Sequence, residues 1–211
     1  MPARMTHSNA SQIELFRQPP VVLAETHRLF FALMPDDATR SAIGRAAVML
    51  QEQYPVLRAR WVKSERYHAT VNFLGDYPEL PGGVVEKARA AANMLCAVSF
   101  VWSLDYATSF RGREPPCVLR GTFVPDAMFV LWRDLNMALA HVGLHRHVER
   151  QFTPHVTVAY GRRELPHAAP VAPVAWPIDS VALIHSVVGK GHYEQLGRWP
   201  LLDSSRLRTS R

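Results

Sequence analysis

An α+β fold is predicted for this chain of 211 residues, and three observations carry the prediction. Short apolar runs with the two-residue period of strands recur along the sequence. Three longer stretches repeat their apolar residues at helical spacing instead. Composition is ordinary for a globular chain, 48% hydrophobic and 20% charged, which excludes collagen-like, disordered and coiled-coil classes. Few-stranded sheets with helices packed on them accommodate both kinds of element.

In chain order, residues 1–26 mix Pro, Ser, Asn and charges without a sustained period and are expected to form a mobile leader. Leu29, Phe31 and Leu33 alternate with Phe30, Ala32 and Met34, a run apolar on both faces and so a central strand. Pro35-Asp36-Asp37 supplies helix-start chemistry. Ile43, Ala46, Ala47, Leu50 and Tyr54 then repeat at helical spacing, so a helix runs to about Gln53, before Pro55. Strand-like segments follow at Ala59–Lys63 and His68–Leu74, the second ended by Gly75-Asp76. Alanine-rich Val84–Ala97 carries Val85, Ala88, Ala92 and Leu95 on one stripe, a second helix. Phe100–Phe110 and Cys117–Phe123 read as strands across an Arg/Gly/Pro turn. Pro125-Asp126 opens a third helix that ends near His141–Gly143. His155–Tyr160, Val174–Ile178, Val181–Val188 and Tyr193–Trp199 complete the strands, and 204–211 are a polar tail. Residues 27–203 are thus expected to form one folded domain.

The net charge is +6 and comes almost wholly from arginine, since Lys63, Lys87 and Lys190 are the only lysines. The planar guanidinium fork suits phosphate, so a nucleotide or RNA partner is permitted. The arginines are scattered, however, and form no run that would require one. Cys96 and Cys117 cannot build a disulfide framework or a four-ligand zinc site, and both are expected to be buried apolar thiols. No apolar run is long enough to span a membrane, and Glu14, Arg17 and Gln18 interrupt any secretory signal. A cytoplasmic monomer is the expectation.

Two segments repeat a pattern: His68-Ala69-Thr70-Val71 and His155-Val156-Thr157-Val158. Alternate strand residues share a face, about 6.6 Å apart. His68 and Thr70 therefore point one way, while Ala69, Val71 and Phe73 point toward a core. His155 and Thr157 repeat the arrangement over Val156 and Val158. A single His-x-Thr is more often a histidine satisfied at a strand edge than a catalytic one. Two matched copies, each opening an apolar strand, point to chemistry. Imidazoles titrate near neutrality, so one can serve as general base and one as general acid. Hydroxyls can donate to phosphate oxygens. In-line displacement at phosphorus needs water activated on one side and a leaving group protonated on the other, and two imidazoles meet that need without a metal.

The segments from Arg60-Trp61-Val62 to His68-Ala69-Thr70-Val71-Asn72-Phe73-Leu74-Gly75, and Phe152-Thr153-Pro154-His155-Val156-Thr157-Val158-Ala159, resemble the 2H phosphoesterase superfamily. The match is closest to bacterial RNA 2′,3′-cyclic phosphodiesterases, also called 2′-5′ RNA ligase-like proteins. Arg28–Leu33 and Ser186–Gly191, with Tyr193, Leu196 and 199–201, support it. The resemblance spans about residues 27–202. It implies a bilobal fold with two pseudo-symmetric, antiparallel-rich sheets, helices outside and a central cleft fed by one motif from each lobe. It further implies hydrolysis of 2′,3′-cyclic phosphates, at RNA termini or on nucleosides, to 2′-phosphates with no metal or other cofactor. By that analogy His68 protonates the departing 3′-oxygen, His155 activates water, and Thr70 and Thr157 hold non-bridging oxygens; acid and base can exchange roles. A basic residue common after the family's second motif is replaced here by Tyr160. Arg163, on the histidine's face by strand parity, or Arg162 can take its place.

Other residues carry weaker signals. Tyr193, Tyr67 or Phe73 can stack a base. Arg111 and Arg113 lie in an exposed turn. His141 and His145 have zinc-compatible spacing, but Gly143 interrupts the helix and no further ligand completes a set, so no metal site is expected. The tryptophans read as core. Rival functions are a 2′-5′ RNA ligase, a 2′-5′ oligonucleotide phosphodiesterase, or a non-catalytic module that binds RNA ends.

Overall fold

A computed structural model describes residues 25–203. Its elements are β1 (His27–Leu33), α1 (Asp37–Gln53), β2 (Arg60–Trp61), β3 (Ala69–Tyr77), α2 (Gly82–Ala92), β4 (Phe100–Ser109), β5 (Pro116–Arg120), α3 (Asp126–His141), β6 (Val156–Tyr160), β7 (Ala169–Ile178), β8 (Ser180–Val187) and β9 (Glu194–Pro200). The strands form two sheets, in the orders β3-β1-β8-β9 and β2-β6-β5-β4-β7. Every strand pairing in them is antiparallel. The α+β prediction stands.

Local chemistry explains the elements. The Asp36 carboxylate accepts the backbone N–H of Thr39 at 2.7 Å and starts α1. β1 lies between β3 and β8. Leu29, Phe31 and Leu33 enter the principal core, which draws on both sheets and all three helices. Phe30 and Ala32, on the other face, join Ala182 and Ile184 in a small second cluster. That is why β1 is apolar on both faces.

Several boundaries differ from expectation, β5 for one ending at Arg120 rather than Phe123. α2 stops at Ala92 rather than Ala97, and Asn93 accepts the indole N–H of Trp199. β3 continues past Gly75, which has φ +123°, a value open to glycine. β7 begins at Ala169, five residues early, despite Pro170 and Pro173; it is an edge strand, where missing N–H donors are tolerated. Cys117 is buried, as expected, and burial pushes its thiol up to about 11, but Cys96 is exposed.

The expected leader and tail lie outside the described residues except for 25 and 26. Those two are fastened to the fold. Thr26 accepts a backbone hydrogen bond from Val188 at 2.9 Å, and Glu25 pairs with Lys190 at 2.6 Å. No described helix is long and apolar enough to cross a membrane.

Both motif strands carry a bulge at the same place. Ala32 faces Thr70 and Phe31 faces Asn72, so Val71 has no partner on β1. Val118 faces Thr157 and Cys117 faces Ala159, so Val158 has none on β5. Each skipped valine stands three residues after its motif histidine. A one-residue bulge reverses the facing of everything beyond it.

Candidate active site

Each motif histidine sits just before its strand, His68 ahead of β3 and His155 ahead of β6. Both rings are held by the carbonyl two residues earlier. His68 Nδ1 lies 2.8 Å from the Arg66 oxygen, and His155 Nδ1 lies 2.7 Å from the Thr153 oxygen. A carbonyl only accepts, so each Nδ1 carries the hydrogen and each Nε2 is left with its lone pair. Aromatic edges and faces fix the planes. His68 packs against Phe30 and Tyr193 at centroid distances of 5.1 and 5.3 Å, and His155 meets Phe110 at 4.9 Å.

His68, Thr70, His155 and Thr157 open on one cleft of about 850 Å³. The four residues that strand parity pairs are thus brought together, one pair from each sheet. Burial pushes His68 down to about 4, more than its hydrogen bond to Arg66 restores, and charge on His155 lowers it further. Burial also lowers His155, again against the pull of its carbonyl partner, with Arg120 adding to the fall. Burial thus favours the neutral form of both imidazoles.

The bulges decide what else lines the cleft. Strand parity sends Phe73 to the core; the bulge at Val71 turns it to the cleft, where it is 39% exposed. The bulge at Val158 does the same for Tyr160, 37% exposed. Each ring is five residues beyond its histidine, and each is capped by an arginine from the neighbouring strand. Arg28 lies 5.7 Å from the Phe73 centroid, held by two hydrogen bonds to Asp76 at 2.8 and 2.9 Å. Arg60 lies 5.0 Å from the Tyr160 centroid. Tyr193 lines the cleft under Arg66, at 5.1 Å. Against these three arginines the lining holds one carboxylate, Glu114. The field favours an anion.

Arg162 and Arg163 are not brought into this cleft. β6 ends at Tyr160, and backbone bonds from Gly161 to Pro115 and from Arg162 to Leu57, both 2.9 Å, carry the chain away. The two arginines line a separate depression with Pro55, Val56 and Arg58. Tyr67 is buried at 4% exposure and does not line this cleft. Arg66, Ser186, Gly189 and Gly191 line the site although the sequence motifs give them no role. Ser186, Gly189 and Gly191 come from a strand end and a turn distant in sequence from both motifs, whereas Arg66 is two residues before His68, and only the flanking stretches of the family resemblance touch them.

Comparison with known proteins bears on this arrangement. Residues 33–119 match the family model described as LigT like Phosphoesterase. Over that span the chain is similar to LigT-like phosphoesterases. A Geobacillus stearothermophilus protein named RNA 2′,3′-cyclic phosphodiesterase is 28% identical over 190 residues, 85% of this chain. The match spans 59% of that relative's length. The crystal structure of E. coli LigT in apo form superposes with a TM-score of 0.68 at 23% identity, covering 84% of this chain and 99% of the other. A Thermus thermophilus structure gives 0.68 at 22% identity with the same coverage. The chain therefore shares their fold.

Proposed function

We propose that this chain is a phosphoesterase that hydrolyses 2′,3′-cyclic phosphates, at RNA ends or on nucleotides, to 2′-phosphates without a metal. The observation that carries the reading is the convergence of two Nδ1-anchored imidazoles and two threonine hydroxyls on one arginine-rimmed cleft. The Geobacillus relative's name and the structure of E. coli LigT complexed with 3′-AMP (TM-score 0.69, 23% identity) agree with a nucleotide phosphate as ligand.

In the proposed reaction the Nε2 of His155 takes a proton from water as its oxygen attacks phosphorus. The bond from phosphorus to O3′ breaks, and Nε2 of His68 delivers the proton that O3′ needs. Thr70 and Thr157 donate to the non-bridging oxygens. The negative phosphate raises the proton affinity of the imidazoles it enters between, so the acid is charged in the complex against the pull of its burial. A second reading exchanges the roles. The fall of His68 to about 4 favours it, because a ring that resists protonation is better suited to be the base. In either case the described chain acts as one bilobal catalytic domain, and we place it in the cytoplasm as a monomer.

His68→Ala and His155→Ala test the reading. Each is expected to lower kcat on a 2′,3′-cyclic nucleotide by at least about a hundredfold while the protein stays folded. Losses under about fivefold in both would refute acid–base roles.

A further inference from the structure

We propose that Arg58, Arg162 and Arg163 form a second anion site, outside the catalytic cleft, that holds the phosphate backbone of the RNA strand whose end is processed. The proposal rests on the reading of the cleft just given and extends it from a terminal nucleotide to a strand.

Arg58, Arg162 and Arg163 line one depression of about 500 Å³ together with Pro55 and Val56. All three residues are exposed. Among the described residues none of them makes an ion pair or a side-chain hydrogen bond, so their donors are unspent. The depression is built from fixed backbone. Arg162 N–H donates to the Leu57 oxygen at 2.9 Å, which clamps the end of β6 to the turn that carries Arg58. Gly161 lets the chain close there, since a Cβ at that position would meet the Arg163 oxygen at 2.6 Å. Arg58 is the only non-glycine described residue with positive φ, at 43°. That conformation suits glycine or asparagine better than a long charged side chain. An arginine there keeps a guanidinium at the depression despite the backbone cost.

Position links this patch to the cleft. Arg60 and Tyr160 pair across β2 and β6, and both line the catalytic cleft. Arg58 is two residues before Arg60, and Arg162 is two residues after Tyr160. Two residues span at most about 7 Å. The second site is therefore the outward continuation of the cleft's basic wall. Exposed guanidiniums on two chain segments suit successive backbone phosphates, which position a strand without reading its bases.

The test compares a short single-stranded RNA ending in a 2′,3′-cyclic phosphate with the corresponding cyclic mononucleotide. Arg58→Ala/Arg162→Ala/Arg163→Ala should raise KM for the RNA about tenfold or more at low salt, with kcat unchanged and mononucleotide kinetics unaltered. The slope of log KM against log salt should fall by about 2, near 0.7 for each single-strand phosphate contact. Unaltered RNA kinetics, or equal damage on both substrates, would overturn the second site. Should wild type turn over neither substrate, the cleft reading falls on its own. Fluorescence anisotropy of a labelled RNA with a 2′-phosphate end then decides: weakened binding in the triple variant supports the site, and undiminished binding overturns it. Inorganic pyrophosphate displacing that RNA at equal concentration would mark a small-anion site and overturn the strand assignment.

Discussion

Asn72 reaches Asn136 at 3.0 Å in the buried space between β3 and α3. Its amide nitrogen donates to Asn136 and also to the His147 carbonyl, at 2.8 Å. Asn136 accepts a second bond on the same oxygen, from Glu149 N–H at 3.0 Å. β3 needs this support, because it is the edge of its sheet and has a neighbour only in β1. Glu149 also takes the outward N–H of Phe73 at 3.3 Å. The other motif strand, β6, lies between β2 and β5, and Ala159 occupies the position corresponding to Asn72.

Asn136→Ala removes an acceptor shared by the buried Asn72 amide and the part-buried Glu149 N–H. It is expected to cost about 2 kcal/mol of stability, the usual penalty for stranding such groups. Urea denaturation monitored by tryptophan fluorescence measures it. A loss below about 0.5 kcal/mol would show that the amide pair does not brace β3.

Much of this architecture was legible because the local signals agree. Asp36 capping α1, the two-faced apolar run of β1 and the twin His-x-Thr segments each follow from periodicity or end chemistry. Bulges do not. Val71 looks like any strand valine, and only the pairing of Thr70 and Asn72 with β1 shows that it is skipped. Simple parity therefore sends Phe73 to the core and Arg163 toward the phosphate, when the bulges place Phe73 and Tyr160 in the cleft instead. The arginine caps are hidden for a related reason: Arg28 and Arg60 reach their rings across strand pairings that sequence distance conceals.

The pH dependence has a defined sign. In kcat/KM the acidic limb reports protonation of the base, and the alkaline limb reports deprotonation of the acid, both in the free enzyme. Burial lowers both imidazoles, His68 to about 4. The bell for a cyclic mononucleotide is expected to centre below pH 6.5, with kcat/KM already declining from pH 6.5 to 7.5. A centre at or above pH 7 would contradict the burial of these rings.

Stability should follow the same imbalance. An unfolded histidine binds its proton near pH 6.5, whereas folded His68 does so only near 4. The unfolded state therefore gains protons first as pH falls, and the native state loses relative stability between those values. Thermal midpoints of wild type and His68→Gln should converge across that window. Parallel curves would refute the shift.

Acid and base can be separated with a p-nitrophenyl phosphodiester, whose phenolate departs without a proton. The variant lacking the general acid should recover most of its lost rate on this substrate, and the variant lacking the base should not. Recovery in His68→Ala supports its role as acid; recovery in His155→Ala alone supports the exchanged assignment.

The central claim is an in-line attack at one phosphorus between two imidazoles, expelling O3′ without metal assistance. Product analysis from adenosine 2′,3′-cyclic phosphate in the presence of excess chelator tests it most directly. Adenosine 2′-phosphate is the expected product, with its formation slowed at least about a hundredfold in His68→Ala and in His155→Ala. Exclusive release of the 3′-isomer, or turnover that stops when chelator is added, would contradict it.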